Sequence, residues 1–328
     1  MLKFALLGCG RISKRHSELL GLNQINNATL IAVCDLIKEK AENISKRMKV
    51  PFYQDMHEMM RKEDINVIVI LTESGNHANH VIELANYGKH IIVEKPMALS
   101  LEDADRMISA CEKNKVKLFV IKQNRFNLPV TKLREAIDQG RFGKIVMGTV
   151  RVRWCRKQEY YDQDDWRGTW ALDGGVLANQ ASHHIDLLEW MIGDRARPIQ
   201  VSALAATGVA QKKLGIDTED TITLTVKWEN IESGNLGISI HTASWIAPKS
   251  DVHSQQRFFF MGHQGELQID QAHRGYATAT VLGGYASINP LFMKYEPSDG
   301  KFAGQGTYGY QSFERFVDAV GSINQGKA

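Results

Sequence analysis

Glu94, Lys95 and Pro96 place an acid, a base and a rigid imino acid at the end of a short apolar run, 91–93. In open parallel α/β sheets, ligands bind at the carboxyl ends of the strands. A lysine at such an edge, when partly desolvated, has its pKa drawn toward neutrality and takes part in proton transfer. The following proline keeps Lys95 out of the helical region, so a fixed backbone projects the ammonium. The plainer alternative is a strand that merely ends in polar residues.

A second group of candidates lies at 173–186, which reads Asp-Gly-Gly-Val-Leu-Ala-Asn-Gln-Ala-Ser-His-His-Ile-Asp. On an α-helix, Asn179 and His183 stand one turn apart on the same face. An imidazole takes a proton from a hydroxyl near neutral pH, and an adjacent amide orients the ring or the substrate. Asp186 is expected to fix a neighbouring imidazole through a hydrogen bond. Two alternatives stay open: a helix of satisfied histidines, and a metal site. No third ligand stands out, so no metal is assigned.

Gly8-Cys9-Gly10-Arg11-Ile12-Ser13 follows the first apolar run and opens an amphipathic stretch. Glycines permit the tight turn and let the backbone approach a pyrophosphate at a helix N-terminus. Ser13 replaces the third glycine of the usual GxGxxG, and is small enough for close helix–strand packing. Asp35 ends the second apolar run at about the expected distance. Its carboxylate suits both adenosine ribose hydroxyls and repels a 2′-phosphate, which favours NAD over NADP. The alternative for Asp35 is an N-cap of the next helix.

Around 151–170 cations alternate with rings: Arg151, Arg153, Arg156, Lys157 and Arg167 among Trp154, Tyr160 and Trp166. Guanidinium groups take carboxylate or phosphate in bidentate fashion, and aromatic faces stack on sugar or base rings. The combination points to an anionic sugar: a uronate, a sugar phosphate or a nucleotide sugar. The bland alternative is that half of these arginines are solvated on the outer side of a strand.

The elements that position these groups follow from hydrophobic period. Apolar runs at 4–7, 30–34, 67–71, 91–93 and 118–121 alternate with helix-like stretches at 11–22, 38–48, 77–87 and 101–114. That alternation predicts a doubly wound α/β domain, parallel strands joined by crossover helices. Ser100 followed by Asp103 reads as a helix N-terminal capping box. After about 123 the pattern changes to a helix at 130–139, a strand at 144–154 and a helix at 176–192. Strands follow at 199–206, 221–228, 236–243, 257–261 and 266–269, with period-two alternation that predicts a mainly antiparallel sheet.

Composition bounds the reading. The chain has 328 residues, 43% hydrophobic and 23% charged, enough for two domains with ordinary cores. A net charge of +3 argues for neither nucleic acid nor membrane as a partner. No apolar run approaches the roughly 20 residues of a membrane span, and Met1-Leu2-Lys3 leads directly into a strand, which predicts a cytoplasmic protein. Four scattered cysteines without a CxxC pair give little support to disulfides or zinc.

Taken together, Gly8–Ser13, Glu94-Lys95-Pro96, Gln123-Asn124-Arg125-Phe126 and the segment of Asn179 and His183 closely resemble the glucose–fructose oxidoreductase/inositol dehydrogenase family of nicotinamide-dependent sugar dehydrogenases. The resemblance runs from Phe4 to about Asp194 and resumes more loosely to the end. It implies an N-terminal Rossmann domain, 1–122, and a C-terminal α+β domain, 123–328, whose open sheet makes homodimer or homotetramer contacts. It assigns NAD contacts to Gly8, Gly10, Arg11, Ile12, Asp35, Thr72, Ser74, His77, Glu94, Lys95 and Gln123. It places Lys95 and His183 in catalysis with Asn179 beside them, His183 as the base that accepts the hydroxyl proton. Asn179 stands where many relatives have aspartate, so which of Lys95 and His183 takes the proton is open. Substrate contacts would come from Arg125, Arg153, Tyr160, Trp166, Arg167, Asn179 and His183.

Trp166-Arg167-Gly168-Thr169-Trp170 is similar to a segment in relatives that include UDP-N-acetylglucosaminuronate 3-dehydrogenases. Thr72-Glu73-Ser74 replaces the relatives' Thr-Pro-Asn, although His77 keeps its place. Relatives usually continue past Ala328 with another helix. The implied activity is oxidation of a sugar ring hydroxyl to a ketone. Alternatives are an inositol or free-sugar dehydrogenase, a glycosidase or epimerase that recycles its NAD, and a catalytically silent NAD-bound regulator.

Overall fold

Short, mostly apolar runs make the strands at the centre of the first unit. These are β1 (Leu2–Leu7), β2 (Ala28–Cys34), β3 (Phe52–Tyr53), β4 (Val67–Ile70), β5 (His90–Val93) and β6 (Leu118–Val120). They form one sheet in the order β3-β2-β1-β4-β5-β6, with every pairing parallel. A computed structural model describes residues 1–154, 156, 158–207, 216–245, 255–270, 275–280, 284–288, 294–296, 301–303 and 310–324. The chain divides into two units, Met1–Gln123 with Gln305–Ala328, and Asn124–Gly304.

Between the strands run α1 (Ser13–Gly21), α2 (Lys38–Met48), α3 (Met56–Lys62), α4 (His77–Ala85) and α5 (Leu101–Lys113). Strand alternation sends Phe4 and Leu6 into one apolar cluster, and Ala5 and Leu7 into another. Both faces are therefore covered, as expected for crossover connections. Ser100 caps α5: its Oγ accepts the Asp103 N–H at 3.1 Å while its hydroxyl donates to the Asp103 carboxylate at 2.9 Å. The strand order reverses between β1 and β4, so their carboxyl ends diverge into the crevice where such sheets bind ligands.

The second unit holds α6 (Leu128–Asp138), β7 (Ile145–Arg153), α7 (Gln158–Tyr161) and α8 (Ser182–Ile192). Then come β8 (Ala196–Ala206), β9 (Thr221–Asn230), β10 (Leu236–Ser244), β11 (Gln255–Gly262), β12 (Gly265–Asp270), β13 (Gly275–Thr280) and β14 (Gly284–Ile288). The eight strands form a sheet in the order β14-β13-β12-β11-β7-β10-β9-β8, antiparallel except for β7 with β10. Val150, Val152, Leu224 and Phe260 point from the sheet into a core with Leu133 of α6 and Leu187, Leu188 and Met191 of α8. A two-stranded ribbon of β15 (Lys294–Glu296) and β16 (Lys301–Ala303) follows.

The last helix, α9 (Tyr310–Asn324), departs from the expected division. Phe313, Phe316, Val317 and Val320 are buried in the first unit's core, with Phe316 edge-on to Phe119 at 4.3 Å and to Phe4 at 5.8 Å. The expectation placed all of 123–328 in the second domain; the chain instead returns, because α9's apolar stripe fits the β1 side of the first sheet. Among the described residues, no helix is long and apolar enough to cross a membrane.

Candidate active site

The Gly8 turn is dictated by the backbone. Gly8 has φ +97°, and a Cβ there would lie 2.8 Å from the Leu71 carbonyl carbon. Only glycine lets the exit of β1 pass against the exit of β4. Gly10 is different: a Cβ at that position would meet nothing within 4 Å. The protein's own packing does not demand glycine there, whereas close approach by a ligand would.

Helix α1 then begins with no side-chain cap at Ile12 and no acidic residue in its first turn, which leaves its positive end for an anion. Ser13 is fully buried, and its hydroxyl bonds back to the Gly10 carbonyl, so the small residue does permit close packing. Asp35 Oδ2 accepts the Cys9 N–H at 2.7 Å and Oδ1 accepts the Ile37 N–H at 2.8 Å. Since α2 starts at Lys38 after Ile37, Asp35 makes a local turn and does not cap the helix. Burial and the Asp35 charge push the Cys9 thiol pKa up, so it stays neutral beside that carboxylate. A bare helix end, an unneeded glycine and a carboxylate at the β2 terminus fit a dinucleotide. Gly8, Gly10 and Ile12 would hold its pyrophosphate and Asp35 its ribose; Arg11 is exposed at the same turn.

Lys95 is half-buried just past β5. Glu94 is buried; its Oε2 accepts the Lys95 N–H at 3.0 Å and its Oε1 faces His16 Nε2 at 2.9 Å. Burial opposes ionisation of Glu94, but His16 and Lys95 outweigh it and hold the carboxyl below its ordinary value. His77 is buried with Nδ1 2.8 Å from the Pro96 carbonyl and Nε2 3.1 Å from the Thr72 carbonyl. Ser74 lies in a short 3₁₀ turn, Ser74–Asn76, that leads into α4. Gln123, buried, opens another, Gln123–Phe126.

In the second unit the expected single helix at 176–192 is two pieces. Leu177–Ala181 is a π-helical turn, and α8 follows it. Bonding from i to i+5 widens the turn, so Asn179 and His183 lose the one-turn α register read from the sequence. Asn179 is buried and its amide donates to the Asp173 carboxylate, which also accepts the Gly168 N–H at 2.7 Å. A carboxylate does stand at Asn179, supplied from six residues earlier. His183 lies on the first turn of α8, 9% exposed.

Asp186 takes a guanidinium where an imidazole was expected. Arg125 donates to both its oxygens, at 2.8 and 2.6 Å, and lies over the Trp190 ring at 5.7 Å. Arg125 therefore braces α8.

Glu219 escaped notice in the sequence because nothing near it repeats. Its Oε1 accepts the Leu177 N–H at 2.9 Å, starting the π turn, and a Cβ on Gly175 (φ +83°) would strike its carboxylate. Burial, with Asp173 and Asp220 nearby, raises its pKa above the ordinary 4.5. A raised folded-state pKa favours the fold below about pH 4.5; that contribution is lost as pH climbs through the folded value. Glu219→Gln keeps the Leu177 contact without the charge. It should melt about 2–4 °C higher than the wild type at pH 8, with the difference shrinking toward pH 5 in thermal scans.

The cation-rich segment sorts itself by partner. Arg151 and Arg153 are exposed on the face of β7 opposite its buried Val150 and Val152. Arg153, expected at the substrate, thus projects away from the core side that carries α8, because strand period two puts it there. Arg167 donates twice to Asp164 Oδ2, at 3.1 and 3.0 Å, between the Tyr160 and Trp166 rings at 4.5 Å each. Tyr160 is itself buried under two guanidinium groups. Arg156 lies 4.2 Å from the Tyr160 ring and 5.6 Å from Trp154, and its Nη2 donates to Gln180 Oε1 at 2.7 Å. Gln180 is the neighbour of Asn179 in the π turn. Lys157 lies outside the described residues. Among those residues no group of three or more His, Cys, Asp or Glu side chains is arranged to hold a metal.

Comparison with known proteins places these observations. Residues 2–122 match the GFO_IDH_MocA model, an oxidoreductase family with an NAD-binding Rossmann fold, and residues 130–268 match the GFO/IDH/MocA C-terminal domain. The WlbA dehydrogenase of Bordetella pertussis, solved with NADH and UDP-GlcNAcA, is 31% identical with a TM-score of 0.80, covering 100% of this chain and 88% of that one. The WlbA dehydrogenase of Chromobacterium violaceum, solved with the same two molecules, is 32% identical with a TM-score of 0.78, covering 100% and 87%. Among curated proteins, the myo-inositol 2-dehydrogenase of Thermotoga maritima is 27% identical over 201 residues. That match takes in 60% of this chain and spans 57% of the relative's length.

Proposed function

The chain belongs to the GFO/IDH/MocA oxidoreductase family, and from that premise we propose an NAD-dependent dehydrogenase that oxidises a ring hydroxyl of an anionic sugar, a uronate or a nucleotide-linked uronate. The observation that carries the substrate class is Arg156, stacked on Tyr160 and bonded to Gln180 in the turn that bears Asn179. A stacked, pre-oriented guanidinium is a ready partner for a carboxylate. The UDP-GlcNAcA present in the two WlbA structures supports the same class.

When bound, NAD supplies the hydride acceptor. Lys95 donates a hydrogen bond to the oxygen of the reacting hydroxyl and stabilises the negative charge that develops there. His183 takes the proton of that hydroxyl on its imidazole. Asn179, held by Asp173, orients a substrate hydroxyl through its amide.

A neutral polyol is the second reading, favoured by the inositol dehydrogenase relative. An absorbance screen for NADH separates the two. Uronates and UDP-uronates should turn over faster than inositols and free sugars; exclusive use of neutral polyols would end the anionic reading.

The open face of the second sheet supports a homo-oligomer. Leu204, Ile238 and Ile240 are exposed on it, at 80%, 49% and 37%. Apolar side chains gathered on one sheet face mark an interaction surface. Light scattering should give a dimeric or tetrameric mass, and Ile238→Lys with Ile240→Lys should shift it toward the monomer.

A further inference from the structure

Lys95 is gripped through both of its peptide neighbours by buried histidines. On one side His16, fully buried on α1, meets the Glu94 side chain, whose other oxygen holds the Lys95 N–H. A carboxylate only accepts, so Nε2 of His16 is the donor. Its Nδ1 is buried without a hydrogen-bond partner, and Phe313 of α9 stands edge-on to the ring at 5.2 Å. That leaves the ring one polar contact among the described residues, the Glu94 carboxylate. On the other side His77, the first residue of α4, touches the Pro96 carbonyl with Nδ1 and the Thr72 carbonyl with Nε2. His80 adds a second tie to the same turn, with Nδ1 3.0 Å from Thr72 Oγ1.

The two histidines come from the elements that form the candidate cofactor turns. His16 is one turn into the helix opened by Gly8–Ile12, and His77 opens the helix that follows the turn of Thr72 and Ser74. We propose that His16 and His77 are positioning residues which clamp the Glu94-Lys95-Pro96 tripeptide between the two cofactor turns and so fix where the Lys95 ammonium stands. This rests on the reading of Lys95 as a catalytic residue. Both histidines act through other groups: His16 through the Glu94 carboxylate, His77 through the Pro96 carbonyl.

Competitive acetylation of the whole protein with acetic anhydride tests the clamp without cofactor or turnover. Mass spectrometry follows Lys95 against the exposed Lys46 as an internal reference. His16→Leu should change the relative labelling of Lys95 about tenfold and lower kcat about 10–10²-fold, with KM for NAD little moved. His16→Gln should recover both, because its amide Nε2 can donate to Glu94. His77→Asn retains a donor toward Pro96 and His77→Gln one toward Thr72, so the first should lose more in KM for NAD and the second more in kcat.

A folded His16→Leu protein with wild-type Lys95 labelling and kcat overturns the clamp, as do two His77 variants with identical losses. Should His16→Leu not fold, Glu94→Met takes its place, since it removes the acceptor for the Lys95 N–H, and wild-type labelling there overturns the clamp equally. Wild-type turnover in Lys95→Met is a separate failure, of the catalytic assignment itself. An inactive Lys95→Met beside an unaffected His16→Leu sinks the clamp alone.

Discussion

Lys95→Met is expected to form NADH about 10²–10⁴ times more slowly than the wild type while still binding NAD. Methionine keeps the length and most of the apolar stem, so packing at the end of β5 is retained and only the ammonium is lost. Binding should survive because most of its groups lie elsewhere: the Gly8–Ile12 turn, the bare end of α1 and the Asp35 carboxylate stand at the exits of β1 and β2. Calorimetric titration of NAD and an absorbance assay with the best sugar of the screen give the two quantities separately. Unimpaired turnover would remove Lys95 from the proton step and leave His183 to act alone. A joint loss of binding and turnover would mean instead that the ammonium mainly holds the cofactor.

The first unit was the more legible half, for a physical reason. Parallel strands buried on both faces are short apolar runs that hardly resemble anything else, and runs such as Val67–Ile70 fell where strands were expected. The glycine turn and the Glu94–Pro96 motif are local, so their geometry is written in consecutive residues. What escaped were elements too short or too distant for a period to show. Strand β3 has two residues, and α3 is marked chiefly by Asp55, whose carboxylate accepts the His57 and Glu58 N–H groups. Helix α9 packs across some 300 residues of chain onto Phe4, which no window of neighbours reveals.

The same limit explains the site. Asn179 and His183 were singled out by type and spacing, but the π turn between them depends on Glu219, some forty residues away, holding the Leu177 N–H. Asp173 could be read as present, yet not as the carboxylate that meets Asn179. Among the arginines, the resemblance put Arg125, Arg153 and Arg167 at the substrate. Two of these are spent on Asp186 and Asp164, and strand alternation turns Arg153 outward. Partner lists of that kind exist only in three dimensions.

Arg156→Leu carries the substrate class with it. In the wild type the Tyr160 and Trp154 rings and the Gln180 carbonyl hold the guanidinium in place, so little side-chain entropy is lost when an anion binds. A bidentate charge-assisted pair formed there is worth about 1.5–3 kcal/mol, which converts to about a 10–10²-fold rise in KM for a uronate or UDP-uronate. Leucine preserves apolar contact with Tyr160, so the loop should stay folded and the thermal melt should confirm it. Arg156→Lys should recover only part of the loss, because an ammonium keeps the charge but lacks the planar fork. For a neutral polyol the same substitutions should barely change KM, since no anion is there to miss the guanidinium. Parallel KM measurements on one charged and one neutral substrate therefore decide between the two readings, and a uniform loss on both would assign Arg156 to holding the Gln180 turn.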